Sequence, residues 1–169
     1  MILRALTLAG GLAGATASSQ FPEFSQQYIQ RLGGAVDALS GVVADFDASA
    51  AAVGLSRDDA LAQMRGTDFL ERRRKDMTAT FNRHSRLQSD LTELKNEGPF
   101  MRAYHMPRLT DPEIAKAAWA EYQPALPLNF AGAVFAAVGF VTGLAVLGLV
   151  LRILSWPFRR ASADPAIGA

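Results

Sequence analysis

The residues of this sequence that could carry chemistry are few and widely spaced. The chain has no cysteine and only two histidines, His84 and His105. Neither histidine has the H-x-x-x-H or H-x-x-E spacing of a metal site, and the lack of cysteine excludes disulfides and thiol nucleophiles. No G-x-S-x-G, P-loop or G-x-G-x-x-G motif occurs. The sequence therefore predicts no catalytic residues, no metal site and no cofactor.

The charged residues form one conspicuous cluster, E-R-R-R-K-D, from Glu71 to Asp76. Glu71 and Arg72 each have an opposite charge four positions later, which is the spacing of ion pairs on a solvated helix face. We prefer that interpretation to a lipid- or partner-binding patch. The net charge of +1 gives no reason to expect a nucleic-acid partner.

A long uncharged segment near the C-terminus predicts a membrane-spanning helix. No charged residue occurs from Tyr122 to Leu151, and about 20 apolar residues are enough to cross a bilayer. We expect this helix within residues 123–157 and expect Pro157 to end it. Arg159 and Arg160 follow, and basic residues at the end of a span favour the cytoplasmic side.

Small residues recur along both apolar segments of the chain. They are Gly10 and Gly14 in the N-terminal segment and Gly132, Ala136, Gly139 and Gly143 in the C-terminal one. Small residues allow helix backbones to approach closely in lipid, so we predict that these residues form packing faces in the membrane. The alternative is the ordinary abundance of glycine and alanine in membrane helices.

The N-terminal segment, residues 1–20, fits two templates. As a signal peptide it has a basic residue at Arg4, an apolar region, and the cleavage pattern Ala15-Thr16-Ala17. As a retained helix it is short, about 27 Å long at 1.5 Å per residue. Both interpretations put Arg4 and the C-terminal arginines on the cytoplasmic side and residues from about 20 to 125 across the membrane.

The middle of the chain carries two long helical patterns. In the first, apolar residues recur four and three positions apart, the spacing of a coiled-coil seam, and in the second they form one stripe along the helix. They are Tyr28, Leu32, Ala35, Leu39, Val42 and Phe46 in the first pattern and Leu70, Met77, Phe81, Leu87, Leu91 and Leu94 in the second. Two such helices of similar length predict an antiparallel hairpin. His84 lies on the second stripe, so we expect it to be packed or half-buried.

Cap and turn residues predict where these helices begin and end. The expected N-caps are Ser56, Thr67 or Asp68, and Asp111, and the expected breaks are Gly54, Gly66 and Gly98-Pro99. Between Pro99 and Asp111 we expect a loop, after which Pro112 starts a last short helix.

The segment S-Q-F-P-E-F-S-Q-Q-Y-I-Q-R-L-G-G-A-V-D-A-L, residues 19–39, resembles a proteobacterial domain-of-unknown-function family, number 2937. The matching residues are Phe21, Pro22, Phe24, Gln26, Gln27, Tyr28, Gln30, Arg31, Leu32, Gly33 and Gly34. The resemblance covers nearly the whole chain. It implies an inner-membrane protein with an uncleaved N-terminus, and it implies no activity.

We therefore expect an all-α membrane protein with an N-terminal apolar helix, an antiparallel helical hairpin and a C-terminal transmembrane helix. The expected parts are a membrane helix or signal peptide at 1–20, a periplasmic hairpin at 21–122, a span at 123–157 and a cytoplasmic tail at 158–169. The expected location is the bacterial inner membrane, with both termini cytoplasmic.

The function predicted from these features is a non-catalytic accessory, assembly or scaffolding subunit. Its expected partners are membrane lipids and another membrane protein or a second copy of the chain. The candidate interaction face is Gln26, Gln27, Gln30 and Arg31. A periplasmic ligand- or lipid-binding envelope sensor is the alternative, and an enzyme with an unrecognised site is a weaker one.

Overall fold

Every secondary-structure element in the described part of the chain is a helix. The computed structural model describes residues 2–109, 111–122 and 129–160. The helices are α1 (Ile2–Ser19), α2 (Phe21–Ala52), α3 (Arg57–Gln63), α4 (Asp68–Leu94), α5 (Pro99–Tyr104), a 3₁₀ helix (Met106–Arg108), α6 (Pro112–Glu121) and α7 (Phe130–Arg160). Within these residues there is no strand, which confirms the all-α prediction.

The helix ends fall at the predicted cap residues. The Ser56 hydroxyl accepts a hydrogen bond from the backbone N–H of Asp59 at 3.1 Å, and Thr67 caps α4 in the same way. Gly54 and Gly66 have φ of +73° and +96°, the left-handed region that glycine enters without steric cost. These contacts are local in sequence, which is why the sequence predicts them.

The segment from Pro99 to Asp111, predicted to be a loop, is largely helical. It contains α5 and the 3₁₀ helix, and each has a proline in its first turn. Proline has no N–H, and the first-turn N–H groups of a helix have no partner in the helix, so proline fits there with its φ already set. Pro99 therefore starts a new helix, whereas α4 has already ended at Leu94.

Helix α7 is the one helix in the described residues that is long and apolar enough by itself to cross a membrane. The qualifying stretch is Phe130–Leu154, and only 6% of it is buried. The core helix of a soluble protein would instead be mostly buried. A second candidate appears only when the stretch Ile2–Ala52 is combined with α3, and these two are bent by 80°.

Helix α7 continues through Pro157 and ends at Arg160, so the prediction that Pro157 ends the helix is wrong. Proline removes one backbone hydrogen bond, and membrane helices tolerate that loss. The beginning of the predicted span, residues 123–128, and residues 161–169 of the predicted tail lie outside the described residues.

The chain divides into two compact units. The first comprises Met1–Glu23 and Gln123–Ala169, and it contains α1 and α7. The second is Phe24–Tyr122. Each unit has its own packing, and each is described separately below.

The second unit has a hydrophobic core supplied by three helices. Its buried members are Tyr28, Ile29, Leu32 and Val36 of α2, Leu87 and Leu94 of α4, and Ile114 and Ala118 of α6. Further along the same two long helices, Ser40 Oγ lies 2.8 Å from His84 Nε2. The rings of Phe46 and Phe81 then meet edge to face, with centroids 5.1 Å apart. His84 is half-buried, as predicted.

Candidate functional site

In the first unit, helices α1 and α7 pack through glycine. A Cβ atom added to Gly10 would lie 2.6 Å from Leu147 Cδ2. A Cβ added to Gly14 would overlap the carbonyl oxygen of Gly139 and lie 3.2 Å from the Cα of Gly143. Real Cβ atoms do not make such contacts, so these positions hold glycine because the two backbones touch.

The pair of helices is antiparallel. From Thr7 in α1 to Phe21 at the start of α2, the partner in α7 moves backwards from Gly148 to Phe135. Thr7 Cγ2 would lie 3.7 Å from a Cβ on Gly148. At the other end, the rings of Phe21 and Phe135 have centroids 5.3 Å apart. The contact therefore runs from Thr7 to the C-terminal end of α1 and on to Phe21, at the start of α2.

The structure brings four of the six predicted small residues together. Gly10, Gly14, Gly139 and Gly143 meet at the contact. Gly132 is buried, with its N–H donating to Asn129 Oδ1 at 2.8 Å, and Ala136 is half-buried.

Two further residues belong to this contact and are not among the predicted ones. A Cβ on Gly11 would lie 2.8 Å from Phe140 Cε2, and the Ser18 side chain faces Gly139. Gly11, Gly14 and Ser18 are spaced three and four residues apart, so a search for small residues on one helix face would have found them.

Outside the contact, both helices expose apolar side chains. The exposed set is Ile2, Leu3, Leu6, Leu8 and Leu12 of α1 and Phe130, Val138, Val141, Val146, Leu149, Val150, Ile153 and Leu154 of α7. An exposed apolar surface of this extent marks contact with lipid or with another protein. The small-residue faces of α1 and α7 cover each other, whereas the large apolar side chains stay exposed.

In the second unit, Gln26 and Arg31 of the candidate interaction face bind other residues of the same unit. Arg102 Nη1 donates to Gln26 Oε1 at 2.6 Å, and Arg31 forms an ion pair with Glu121. Gln27 is half-buried, and Gln30 is exposed. Part of the predicted interaction face is therefore engaged in contacts within the unit itself.

Gly33 and Gly34 follow this face along α2, and nothing lies within 4 Å of a Cβ added to either. Glycine in a helix interior costs about 1 kcal/mol relative to alanine. No contact in the described residues requires glycine at these two positions. Gly34 lines an open groove of about 380 Å³, together with Arg31, Ala35, Arg83, Glu113, Ile114 and Ala117.

Asp111 organises the polar side of the second unit. Its side chain is 5% exposed, and it accepts hydrogen bonds from the N–H of Ile114 at 3.1 Å and from Arg83 Nη2 at 3.2 Å. The backbone N–H of Asp111 donates to the Tyr28 hydroxyl. Burial raises the pKa of that hydroxyl above its ordinary value. These groups hold the unit together, and Arg83 and Ile114 also line the groove beside Gly34.

A second open cleft, of about 340 Å³, lies farther along α2 and α4. Its lining is Val42, Asp45, Phe46, Ser49, Met64, Arg73 and Met77. The lining combines apolar side chains with one carboxylate and one guanidinium, which suits an amphipathic ligand. In the described part of the chain, no group of three His, Cys, Asp or Glu side chains could hold a metal ion.

These features define an all-helical protein with one helix able to span a membrane and a glycine-packed contact between that helix and the N-terminal helix. The family model described as "Protein of unknown function (DUF2937)" matches residues 2–160. The chain belongs to this family, as its segment at residues 19–39 indicated. No curated protein and no solved structure matches the chain.

Proposed function

We propose that this protein is a non-catalytic accessory or scaffolding subunit of the bacterial inner membrane. In this proposal α1 and α7 form a two-helix membrane anchor, and the unit Phe24–Tyr122 is a periplasmic antiparallel hairpin that binds another membrane protein. The observation that carries the proposal is the glycine-to-glycine contact between α1 and α7.

That contact supports retention of the N-terminal helix. Close approach through glycine is characteristic of helix pairs in lipid, where hydrophobicity gives no reason to associate. A cleaved signal peptide would leave the glycines of α7 without this partner. The exposed apolar side chains of both helices then contact the lipid chains, which offer no hydrogen-bonding groups.

The contacts Ser40–His84 and Phe46–Phe81 support the hairpin. A later residue of α2 contacts an earlier residue of α4, so the two helices run in opposite directions. The buried residues of α2, α4 and α6 give this unit a core of its own. A unit with a core of its own and two open grooves suits a docking role rather than catalysis.

The partner surface in this proposal is the groove beside Gly34, with exposed Gln30 next to it. Glycine there leaves room for the backbone of a partner helix, which would account for two helix-interior glycines that the unit's own packing does not require. The ion pairs of Arg31 and Arg83 at the groove would form its polar border.

The test is photo-cross-linking in living cells. A photoreactive amino acid replaces Gln30 or Gly34, and for comparison Gln88, an exposed residue of α4. We expect one discrete cross-linked membrane protein from position 30 or 34 and none from position 88. Equal labelling from all three positions, or none from any, would contradict the partner surface. A cross-link to a second copy would identify a self-associating scaffold.

The cleft lined by Phe46, Met64 and Met77 favours a second candidate, an envelope sensor for an amphipathic ligand or lipid. Apolar side chains beside Asp45 and Arg73 are what such a ligand would need. Cross-links from a photoreactive residue at Val42 to lipid, rather than to protein, would favour this candidate over the accessory subunit.

A further inference from the structure

Helix α5 buries its charged side chain and exposes its apolar ones. Arg102 is 9% exposed, and its Nη1 donates a hydrogen bond of 2.6 Å to Oε1 of Gln26 in α2. Burial away from water lowers the pKa of this guanidinium. Phe100 and Met101 are each 45% exposed, and Tyr104 is 77% exposed. A helix on the surface of a soluble protein has the reverse arrangement, with its charge in water.

The exposed apolar residues share one side of α5. A helix turns by about 100° per residue, so positions 100, 101 and 104 fall within about 100° of one another, and position 102 lies nearly opposite them. Met106, in the 3₁₀ helix that follows, is exposed as well. We call Phe100, Met101, Tyr104 and Met106 the α5 face. The hydrogen bond of Arg102 ties the opposite side of α5 to α2, and the α5 face is thereby turned outward.

The α5 face belongs to the end of the second unit at which the chain enters and leaves. Helix α5 is bonded to Gln26, two residues after the unit begins at Phe24. The unit ends at Tyr122, whose ring centroid lies 6.3 Å from that of Phe24. Trp119, which is 69% exposed, also contacts the ring of Phe24. The chain before Phe24 supplies α1, and the chain after Tyr122 supplies α7. This end is therefore the one that the chain tethers to the membrane helix.

We propose that the α5 face, together with Trp119, enters the headgroup region of the membrane that α7 crosses. This inference rests on the proposed function, in which α7 spans the membrane. Tryptophan and tyrosine favour the boundary between lipid and water, because each has a large apolar ring and one polar group. Lipid is also the surface that the tether keeps at high effective concentration. The second unit is then held at the membrane by its own surface as well as by the chain.

The test is a measurement of depth with spin labels. The chain has no cysteine, so single cysteines carry a nitroxide in the full-length protein, in vesicles of phosphatidylcholine and phosphatidylglycerol. The labelled positions are Met101 and Tyr104, with exposed Thr78 of α4 as the water control and Val141 of α7 as the lipid control. Electron paramagnetic resonance compares collisions with oxygen, which concentrates in lipid, with collisions with a water-soluble nickel complex.

We expect the ratio of oxygen to nickel collisions at Met101 and Tyr104 to lie between the ratios at Thr78 and Val141. Helices that lie in the interface bury their apolar side chains about 5–10 Å deep. Met101→Asp should return the label at position 104 to the ratio of Thr78, because a carboxylate on this face must stay hydrated. Thr78→Asp is the matched control and should leave the label at position 104 unchanged.

Three results would overturn the lipid contact. A ratio at positions 101 and 104 equal to that of Thr78 would mean that the α5 face lies in water. Few collisions with either reagent would mean that protein covers it, in these vesicles a second copy of the chain. An unchanged ratio in Met101→Asp would mean that the apolar face does not hold the unit at the lipid. In all three cases a lipid ratio at Val141 would leave the membrane span standing, whereas a water ratio there would refute the span itself.

Discussion

The hydroxyl of Tyr28 accepts a hydrogen bond from the backbone N–H of Asp111 at 3.1 Å, and both groups are buried. The carboxylate of Asp111 meanwhile caps α6 and binds Arg83 of α4. One residue therefore connects the start of α6 to both long helices of the second unit. The stability of this unit should depend on that connection more than on its exposed ion pairs.

Replacing Tyr28 with phenylalanine should destabilise the second unit. The change removes the acceptor and leaves the buried N–H of Asp111 without its partner, which costs about 1–3 kcal/mol. Chemical denaturation followed by circular dichroism measures the loss. Tyr104→Phe is the control, because Tyr104 is 77% exposed, and it should change the free energy of unfolding by less than about 0.5 kcal/mol. Equal effects of the two variants would show that the Tyr28 hydrogen bond contributes nothing.

The stability of the second unit should fall in strongly basic solution. Burial raises the pKa of Tyr28 above its ordinary value of 10.0, and the N–H of Asp111 opposes that shift. Below pH 10 the hydroxyl is protonated in both states, so the full stability is present. Above it the unfolded chain loses this proton first, and the free energy of unfolding falls until the folded pKa is passed. Denaturation at a series of pH values should show this decline in the wild type and in Tyr104→Phe, and a smaller one in Tyr28→Phe.

The two N-caps Ser56 and Asp111 should contribute different amounts to the free energy of unfolding. Ser56→Ala removes one exposed cap and should cost about 1 kcal/mol. Asp111→Ala removes a cap and also the charged partner of Arg83, and it should cost about 2–4 kcal/mol. Denaturation of both variants measures the difference. Equal losses would mean that the ion pair with Arg83 adds nothing to the cap.

The helix ends of this fold are predictable because their signals are local. Ser56 and Thr67 each bind an N–H three residues later, so the residue and its partner lie in one short stretch. The helix α5 was missed because Gly98-Pro99 is both a stop signal and a start signal. Nothing in the adjacent sequence shows which of the two meanings applies to the residues that follow.

The core and the interaction face were predicted only in part. Ile29 and Val36 are buried although they lie beside the seam that the spacing predicted, and they share one core cluster with Ile114 and Ala118 of α6. Gln26 and Arg31 looked exposed in sequence, yet their partners Arg102 and Glu121 are 76 and 90 positions away. Pairings over such distances depend on the tertiary fold and leave no periodic pattern in the sequence.

Adding one methyl group at Gly143 should loosen the pair of α1 and α7. A Cβ there would overlap the carbonyl oxygen of Gly10 and lie 3.2 Å from the Cα of Gly11. Overpacking of this kind costs about 1–3 kcal/mol. The chain has no cysteine, so cysteines introduced at Thr7 and Gly148 report the contact through their rate of disulfide formation.

Gly143→Ala should slow that rate. The control is Gly41→Ala in α2, where nothing lies within 4 Å of an added Cβ, and it should leave the rate unchanged. An unaltered rate in Gly143→Ala would mean that the two backbones are not in contact.

The N-terminal helix should be retained in the mature protein. Helix α1 continues without a break through Ala15, Thr16 and Ala17, and Ser18 is packed against Gly139. Cleavage after Ala17 would remove Gly10 and Gly14 from the contact, so the glycines of α7 would lose the surface that they fit. We therefore expect the protein purified from native membranes to keep its first residues.

Trypsin provides the measurement, because it cuts after Arg4 and Arg31 and finds no lysine or arginine between them. Retention yields the peptide 5–31, whereas cleavage after Ala17 yields 18–31. The next peptide, 32–57, is the same in both cases and serves as the internal standard for the amount of protein. We expect 5–31 in an amount comparable to 32–57. Recovery of 18–31 in its place would show that α1 is a signal peptide, and the protein would then have one membrane helix.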